Sequence, residues 1–393
     1  MIGAGWILSA IWFIVEWPRP YSKGMWRKQW GWWFIVFLSV WLWACDDEHV
    51  VKEYVDNVVT EYATGPYYTR TVYDENMGEF TAEQQAELTS KGYITMRLFY
   101  SPRNAGQIWV QAGTPSFGTS ILFGVTCGDK FIAVGQSGKI GYSTDGDTWT
   151  QAGTPSFGTD TIYDVDYGDS KYVSVGANGK IGYSTDGDTW TQAGTPSFGT
   201  SAIYTVKWCG DKWVAGGADG KIAYSTDGDT WTQAATPSFN ASDFVLGLSY
   251  NGSIIVAVSS SSEIAYSTDG DTWTQAGTPS FGGTSINEVD YHGGKFLSVG
   301  TLGKMATSTD GDTWTQVSTP GFDTATIRSC GYAGNKHVVV GDTGKISYSF
   351  DAVTWNAVAS TTYTSSDVIH DVTYGLGKLV VVGTSGKIAF SID

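Results

Sequence analysis

A tryptophan motif that recurs at a nearly constant interval constrains the fold of this chain more than any other feature of its sequence. Close copies of Ser-Thr-Asp-Gly-Asp-Thr-Trp-Thr run through the C-terminal three quarters of the chain. Including one earlier tryptophan in a matching Trp-x-Gln-Ala-Gly-Thr-Pro context, the repeated tryptophans are Trp109, Trp149, Trp190, Trp231, Trp273, Trp314 and Trp355. Successive tryptophans are 40, 41, 41, 42, 41 and 41 residues apart. Such a period, filled with short strand patterns, is typical of a β-propeller blade.

Each repeat divides into four strand candidates separated by turn residues, as at 161–167, 171–175, 180–184 and 190–193. Four antiparallel strands make one blade, and we name them a to d from the axis outward. A charged residue at the start of each strand c occurs seven times, which gives the number of blades: Lys139, Lys180, Lys221, Glu263, Lys304, Lys345 and Lys387. The last copy stops before its tryptophan, and the segment around Trp109 supplies the missing strand. The sequence therefore predicts an all-β, seven-bladed β-propeller over residues 107–393, closed by an N-terminal strand.

The repeated turn has a structural explanation. Ser143 and Asp145 can bond the backbone of their own turn, and Trp149 is a large apolar side chain to pack between blades. The next repeat has the same set in Ser184, Asp186 and Trp190. These Ser-x-Asp-x-x-x-Trp turns resemble the Asp-box (BNR) repeats of sialidase-like propellers, although each is one residue shorter than the usual form. The resemblance implies the architecture and no particular activity, because such folds host many functions.

Catalytic residues do not accompany the resemblance. A sialidase implies three arginines around its substrate carboxylate, whereas residues 107–393 contain only Arg328. Asp164, Glu288 and Asp371 can approach one another near the axis, but any propeller places residues of strand a there. The sequence therefore predicts that the chain is not an enzyme.

Composition excludes further classes of function. Acidic residues outnumber basic ones 39 to 23, which disfavours nucleic acid as a partner because phosphate binding needs a basic face. Three cysteines lie in different repeats and Cys45 lies outside them, so no disulfide framework is predicted. The repeat histidines have no His-x-His or Glu-x-x-His spacing, and no Gly-rich phosphate loop opens a helix. We predict neither a metal nor another cofactor.

Residues 1–45 are predicted to be an apolar anchor or signal-like segment. Two apolar runs, 2–17 and 30–44, flank a basic stretch, and each is shorter than the roughly 20 residues of a membrane span. One alternative is a helical hairpin with its basic loop on the cytoplasmic side. Another starts the chain at Met25 with a basic region before an apolar one, and a third buries the segment in an assembly. The string Leu-Trp-Ala-Cys45 resembles a bacterial lipobox, which implies lipidation of Cys45, although Trp43 departs from that pattern.

Residues 46–66 are predicted to form an amphipathic helix. Val51, Val55, Val58 and Tyr62 are spaced four, three and four apart, which favours a short heptad-like face and a homo-oligomer through residues 47–62. The string at 51–59 resembles a segment of phage tail-fibre proteins. Residues 67–106 are predicted to be a linker with a short helix at 82–90 and a strand at 93–100.

Candidate ligand-binding residues are those that vary where the repeats are otherwise nearly copied. One such position lies early in strand a, and it holds Phe123, Tyr163, Tyr204, Leu246, Asn287, Arg328 and His370. Because strand a lies nearest the channel, we expect a site at one channel mouth made by Tyr163, Tyr204, Asn287, Arg328 and His370. Their rings and donors suit a glycan or a protein loop. The phenylalanines repeated in the d-to-a loops either bind a ligand as well or pack between blades.

The sequence favours a surface recognition module. The preferred setting is a phage virion or tail appendage that binds a host surface glycan or protein, because the repeats are near-identical and the helix resembles tail-fibre sequence. The first alternative is a membrane-anchored or lipoprotein propeller of the cell envelope, similar in outline to anchored propellers that assist photosystem assembly. The second is a purely structural virion decoration. Both leading settings place the propeller on a virion or on the extracellular face of a membrane.

Overall fold

The structure is a computed structural model that describes residues 109–391 with short gaps at 114–116, 154–156, 195–196, 236–237, 278–280, 319–320, 334–335 and 359–361. N-terminal to residue 109 it describes four short strands, Val51–Val55, Val58–Tyr62, Arg70–Thr71 and Met96–Arg97. The chain divides into two compact units, Met1–Ser101 and Pro102–Asp393. No helix among the described residues has both the length and the apolar character that a membrane span requires.

In the N-terminal unit, Val51–Val55 and Val58–Tyr62 pair as an antiparallel hairpin. The prediction of a helix is therefore wrong for these two segments. Both are rich in valine, whose branched side chain loses rotamer freedom in a helix and fits the surface of a strand. Asp56 and Asn57, two residues common in turns, separate the segments in the sequence. An oligomer formed through a helix at 47–62 consequently loses its structural basis.

Two more strands belong to this unit. Arg70–Thr71 pairs in parallel with Met96–Arg97. Met96–Arg97 lies inside the span 93–100, where the sequence predicts a strand. The predicted anchor at residues 1–45, with Cys45, and the predicted helix at 82–90 lie outside the described residues.

The C-terminal unit consists of seven four-stranded antiparallel sheets, the blades of a β-propeller. Blades 1 to 3, with strands in the order a to d, are Leu122–Cys127, Phe131–Gly135, Ile140–Ser143 and Thr150–Gln151; Ile162–Gly168, Lys171–Gly176, Ile181–Ser184 and Thr191–Gln192; and Ile203–Trp208, Trp213–Gly217, Ile222–Ser225 and Thr232–Gln233. Blades 4 and 5 are Val245–Tyr250, Ile255–Ser259, Ile264–Ser267 and Thr274–Gln275; and Ile286–His292, Lys295–Gly300, Met305–Ser308 and Thr315–Val317. Blades 6 and 7 are Ile327–Ala333, Lys336–Gly341, Ile346–Ser349 and Trp355–Ala357; and Ile369–Gly375, Lys378–Gly383, Ile388–Ser391 and Trp109–Gln111.

Strand a of every blade contacts strand a of both neighbouring blades, and blade 7 contacts blade 1 in the same way. Five of the turns between strands b and c are single 3-10 turns, at Gln136–Gly138, Ala177–Gly179, Ala218–Gly220, Thr301–Gly303 and Thr384–Gly386. The seven-bladed, all-β architecture predicted from the repeat is confirmed. In blade 7, Trp109 lies opposite Ser391 in the register of the fourth strand.

The hydrophobic core lies between blades. Strand b is buried along its length, as at Phe131–Gly135, because neighbouring blades cover both of its faces. Trp149 is 4% exposed and packs in one cluster with Phe117 of its own blade and with Val380 and Phe390 of blade 7. The aromatic residue that recurs in every d-to-a loop is buried in all seven: Phe117, Phe157, Phe198, Phe239, Phe281, Phe322 and Tyr363. They pack between blades, which decides between the two roles that the sequence leaves open for them.

The repeated turn is held by its own side chains. Ser143 Oγ accepts a hydrogen bond from the Gly146 N–H at 2.8 Å, and Asp145 Oδ1 accepts one from the Asp147 N–H at 2.9 Å. Trp149 Nε1 donates to the Gly146 carbonyl at 2.9 Å, while Gly146 has a positive φ of 77° that favours glycine. The next blade repeats this arrangement with Ser184, Asp186 and Trp190. The side chains of the turn therefore bond its own backbone and fix the buried tryptophan.

Candidate functional site

A β-bulge lies near the start of strand a in every blade. In blade 2, Ile162 pairs with Gly176 and Asp164 pairs with Val175, so Tyr163 is an extra residue without an opposite partner. The same register shift occurs in the other six blades. The seven bulge residues are Phe123, Tyr163, Tyr204, Leu246, Asn287, Arg328 and His370, which are the variable positions identified in the sequence. A bulge releases one side chain from the regular alternation of the strand and changes its direction.

Aromatic side chains from adjacent blades form a continuous row at this end of strand a. Ring centroids are 5.0 Å apart between His370 and Phe123, and 5.7 Å apart between Phe123 and Tyr163. The row continues to Tyr204 at 5.2 Å and from Tyr204 to Phe244 at 5.5 Å. We call these five residues the aromatic arc. Their spacing lies in the range of about 4.5–7 Å that favours aromatic pairs.

The arc is partly open to solvent. Phe244 is 42% exposed, and the other four rings are half-buried. Burial raises the pKa of Tyr204. Burial, together with the neighbouring charge of Arg328, lowers the pKa of His370 to about 4. His370 is therefore neutral near pH 7 and behaves as one more uncharged ring of the arc.

Polar groups complete the ring of bulge residues. Arg328 Nε donates to Asp342 Oδ1 at 2.8 Å, and Asn287 Nδ2 donates to the Ile327 carbonyl at 2.8 Å. These bonds fix both side chains before any ligand arrives. Of the predicted site residues, Tyr163, Tyr204 and His370 belong to the arc, and Arg328 lies beside His370. Asn287 lies in strand a of blade 5 and bonds the first residue of blade 6.

Two members of the arc are absent from the predicted site. Phe123 occupies the same variable position as the chosen residues, so the repeat alignment already contained the signal for it. Phe244 lies in the d-to-a loop before blade 4, where Leu246 is the bulge residue. The motif tryptophans on either side of that blade are 42 residues apart, whereas the other spacings are 40 or 41. This added length was the sequence signal for Phe244.

A cavity of about 190 Å³ is lined by residues of strand a from all seven blades. Five carboxylates line it, those of Asp164, Asp166, Glu288, Asp290 and Asp371, together with one lysine, Lys207. The approach of Asp164, Glu288 and Asp371 expected from the sequence is therefore present.

Three of these carboxylates, those of Asp164, Asp166 and Asp371, join neighbouring blades. Asp371 Oδ2 accepts a hydrogen bond from the Val125 N–H of blade 1 at 2.7 Å, and Asp371 Oδ1 accepts one from Ser329 Oγ of blade 6 at 2.6 Å. Asp164 Oδ2 accepts from the Val206 N–H of blade 3 at 2.9 Å. Strand a is the inner edge of each sheet, so its backbone groups that point away from strand b need partners from outside the ladder. The acidic side chains supply them.

Burial and mutual repulsion change the acidity of this group. Burial raises the pKa of Asp164 to about 6. For Asp371 and Glu288, burial is the larger cause and the charge of Asp164 is the second. Together they raise the pKa of Asp371 to about 7 and that of Glu288 well above its usual range. Near neutral pH the three groups therefore hold fewer than three negative charges.

The opposite end of the cavity has a second polar group. Asp290 Oδ2 lies 3.0 Å from His292 Nε2, and the His292 ring stacks on Tyr332 with centroids 4.8 Å apart. Lys207 Nζ lies 3.7 Å from Asp166 Oδ1. Within the described part of the chain, no three His, Cys, Asp or Glu side chains are placed to hold a metal ion.

No protein-family model and no curated protein matches the chain. The propeller does match solved structures. YCF48 from Cyanidioschyzon merolae is 14% identical with a TM-score of 0.58, over 72% of this chain and 98% of that chain. A structure of YCF48 bound to D1 peptide is 17% identical with a TM-score of 0.59, over 73% and 95%. The WD40 beta propeller domain of Doa1 is 13% identical with a TM-score of 0.58, over 72% and 97%.

Virginiamycin B lyase from Staphylococcus aureus is also similar, at 14% identity and a TM-score of 0.60, over 73% of this chain and 99% of that chain. This similarity corrects the prediction that the chain is not an enzyme, because a propeller of the same architecture is a lyase. The prediction rested on missing sialidase residues, and those residues test only one of the chemistries that the fold can host. Identities at this level show the fold alone. The chain is a seven-bladed β-propeller, and its variable side chains line one mouth of the central channel.

Proposed function

We propose that the propeller is a recognition module that binds a segment of a partner protein at the aromatic arc. The observation that supports this most is the bulge in strand a, because it repeats in all seven blades while the residue at the bulge changes. The scaffold is thus copied and one side chain per blade is free to differ. Such a division is expected when the differing side chains contact a ligand.

The composition of the arc suits a protein segment. Aromatic side chains provide large contact areas at little cost in conformational entropy, and tyrosine adds a hydroxyl that can bond a peptide backbone. The contacts of Arg328 with Asp342 and of Asn287 with Ile327 hold these polar groups in place, so less entropy is lost on binding. Phe244 is the most exposed ring, and it extends the surface beyond the channel mouth.

The comparisons support the class of partner. YCF48 has been solved with a bound peptide, and the Doa1 propeller is a WD40 domain. A host surface glycan is the second candidate ligand, because sugars also stack on tyrosine rings. A virion or envelope setting stays a prediction, since it depends on residues 1–45 and on sequence resemblance.

A selection experiment tests this proposal. The full chain is exposed in parallel to a random peptide library and to a glycan array. We expect enriched peptides whose affinity falls by about thirtyfold in a Tyr163→Ala, Tyr204→Ala double variant, since hot-spot tyrosines contribute about 2 kcal/mol. Tyr183→Ala is the matched control, because this half-buried tyrosine lies in strand c of the same blade as Tyr163, outside the arc and the cavity lining. Enrichment of glycans alone, or of peptides that bind the double variant equally well, would contradict the proposal.

A further inference from the structure

The aromatic arc and the acidic cavity are adjacent parts of one channel. Asp164 follows Tyr163, Glu288 follows Asn287 and Asp371 follows His370 in the sequence of strand a. One residue of strand advances the chain by about 3.3 Å, so the first carboxylates lie one step inside the mouth. A side chain that enters between the rings therefore meets carboxylates within its own length.

The ring faces themselves favour a positive charge. The face of an aromatic ring attracts a cation within about 6 Å of its centroid, and the attraction is greater where water is excluded. His370 does not oppose this, because it is neutral near pH 7. Arg328, the one cation among the bulge residues, is paired with Asp342.

The cavity beyond the arc has matching charge and volume. Its lining holds five carboxylates against Lys207, and Lys207 is already close to Asp166. A volume of about 190 Å³ exceeds the roughly 30 Å³ that one water occupies in the liquid, so the cavity can admit the planar end of a long side chain. An anionic group would be repelled there, and an apolar one would leave the carboxylates without a counter-charge.

From these features we infer that the arc and the cavity together form a site for one basic side chain of the partner segment, with arginine preferred over lysine. This inference rests on the proposed function and names the chemistry of its ligand. Arginine is preferred because its flat guanidinium can stack on the rings of the arc while its N–H groups donate to the carboxylates in fixed directions. Lysine offers a compact charge without that planar surface.

Two synthetic peptides test the inference on the full chain. One is acetyl-Gly-Gly-Arg-Gly-Gly-amide, and the other replaces arginine with citrulline, which keeps the shape and removes the charge. Binding is followed by ligand-observed NMR. We expect the arginine peptide to bind at least about tenfold more tightly than the citrulline peptide, since a hydrogen bond to a charged group typically contributes more than the energy of a tenfold change. Equal affinities would overturn the inference.

A matched pair of variants locates the charge. Glu288→Gln keeps an oxygen that can accept the hydrogen bond that the Val289 N–H now donates to Glu288 Oε1 at 2.9 Å, and it removes the ability of this side chain to ionise. Asp169→Asn makes the same change on an exposed turn at the far end of strand a, where Asp169 has a positive φ of 47° that asparagine tolerates. We expect Glu288→Gln to lose most of the preference for arginine over citrulline, and Asp169→Asn to keep it. A preference that survives in Glu288→Gln would count against the cavity.

The wild-type chain provides a test that does not depend on a variant folding. Affinity for the arginine peptide should rise several-fold between pH 5 and pH 8, because Asp164 and Asp371, which line the cavity, become charged across this range. The other titratable groups facing the channel are Asp166, Lys207, Glu288, Asp290, His292 and, at the mouth, His370. The citrulline peptide controls for pH effects that do not act through the charge of the ligand, and its affinity should change little. An arginine affinity that is flat or falls with pH would overturn the inference.

The two proposals can fail separately. If library peptides bind in a manner that depends on Tyr163 and Tyr204 but tolerate citrulline, the proposed function stands and the basic side chain is wrong. If the arginine peptide binds through Glu288 and ignores both tyrosines, the cavity is a cation site and the arc is not the recognition surface.

Discussion

The Lys378 ammonium donates a hydrogen bond to the backbone carbonyl of Asp145 at 2.7 Å, and this bond joins strand b of blade 7 to the repeated turn of blade 1. Lys171 makes the same contact with the Asp227 carbonyl at 2.6 Å, between blades 2 and 3. The propeller therefore repeats a polar contact between blades as well as an apolar one. Each contact connects the buried inner strands to the outer rim of the next blade.

Replacing Lys378 tests the contribution of this contact. Lys378→Met keeps an apolar side chain of similar length but removes the donor and the charge that lies 4.3 Å from the centroid of the Phe390 ring. We expect the free energy of unfolding to fall by about 1 kcal/mol, which is typical for one hydrogen bond. Urea unfolding measures the change, and Lys378→Arg, which retains a donor, should lose less. Equal losses in the two variants would show that the hydrogen bond contributes nothing.

The fourth strand of blade 7 predicts how truncation affects solubility. Trp109–Gln111 pairs with Ile388–Ser391, so a chain without residues 1–111 leaves that edge without its partner. Unpaired edge strands promote association between molecules. We expect this chain to elute as aggregates in size-exclusion chromatography, whereas a chain without residues 1–101 should stay folded and monodisperse. Identical behaviour of the two truncations would show that the strand is dispensable.

Phe157 and Tyr163 should separate stability from binding. Phe157 is 1% exposed between blades, whereas Tyr163 is a half-buried bulge residue of the arc. We expect Phe157→Ala to reduce the free energy of unfolding by about 3–5 kcal/mol, as for other buried phenylalanines, and to leave the affinity of the folded fraction unchanged. Tyr163→Ala should reduce affinity and cost about 1 kcal/mol or less of stability. Thermal unfolding and peptide titration of both variants give the comparison, and a reversed pattern would move the site away from the arc.

The acidity of Asp371 predicts a pH dependence of stability. Its folded-state pKa is about 7, above the ordinary value of 3.8, so between these values the folded chain binds a proton that the unfolded chain has released. This group therefore stabilises the fold most at low pH, and its contribution is lost as the pH rises through 7. Asp371→Asn cannot ionise, so its stability relative to wild type should rise by about 1–3 kcal/mol between pH 5 and pH 8. Urea unfolding of both proteins at several pH values tests this, and a constant difference would contradict the raised pKa.

The repeat predicted most of the propeller because its turn residues mark every strand boundary. The expected strand at 161–167 is observed at Ile162–Gly168, and the expected strand at 171–175 is Lys171–Gly176. Period and turn chemistry are local properties, so they can be read from a single sequence. The helix predicted over residues 46–66 failed where two patterns competed. Valines spaced four and three apart fit a helix, but the strand preference of the same valines prevailed.

The site was less predictable, because its features arise from the closure of the ring. Variation among the repeats identified the bulge positions, but no sequence pattern shows that a bulge exists there. The bond between Asp164 and the Val206 N–H joins residues 42 positions apart in the chain, and the fold alone brings them into contact. Phe244 does not align with the bulge positions because it lies two residues before the bulge residue Leu246. Contacts between repeats are thus harder to predict than structure within one repeat.

The bulge in strand a also has a consequence for how such a protein can change. Because the bulge residue has no partner across the ladder, its identity is weakly constrained by strand pairing, and each blade offers one position that can be altered independently. Seven such positions around one opening allow a large number of surface chemistries on a single unchanged framework. One substitution at such a position would change the surface of this opening without changing the framework, which makes the opening suitable for library design.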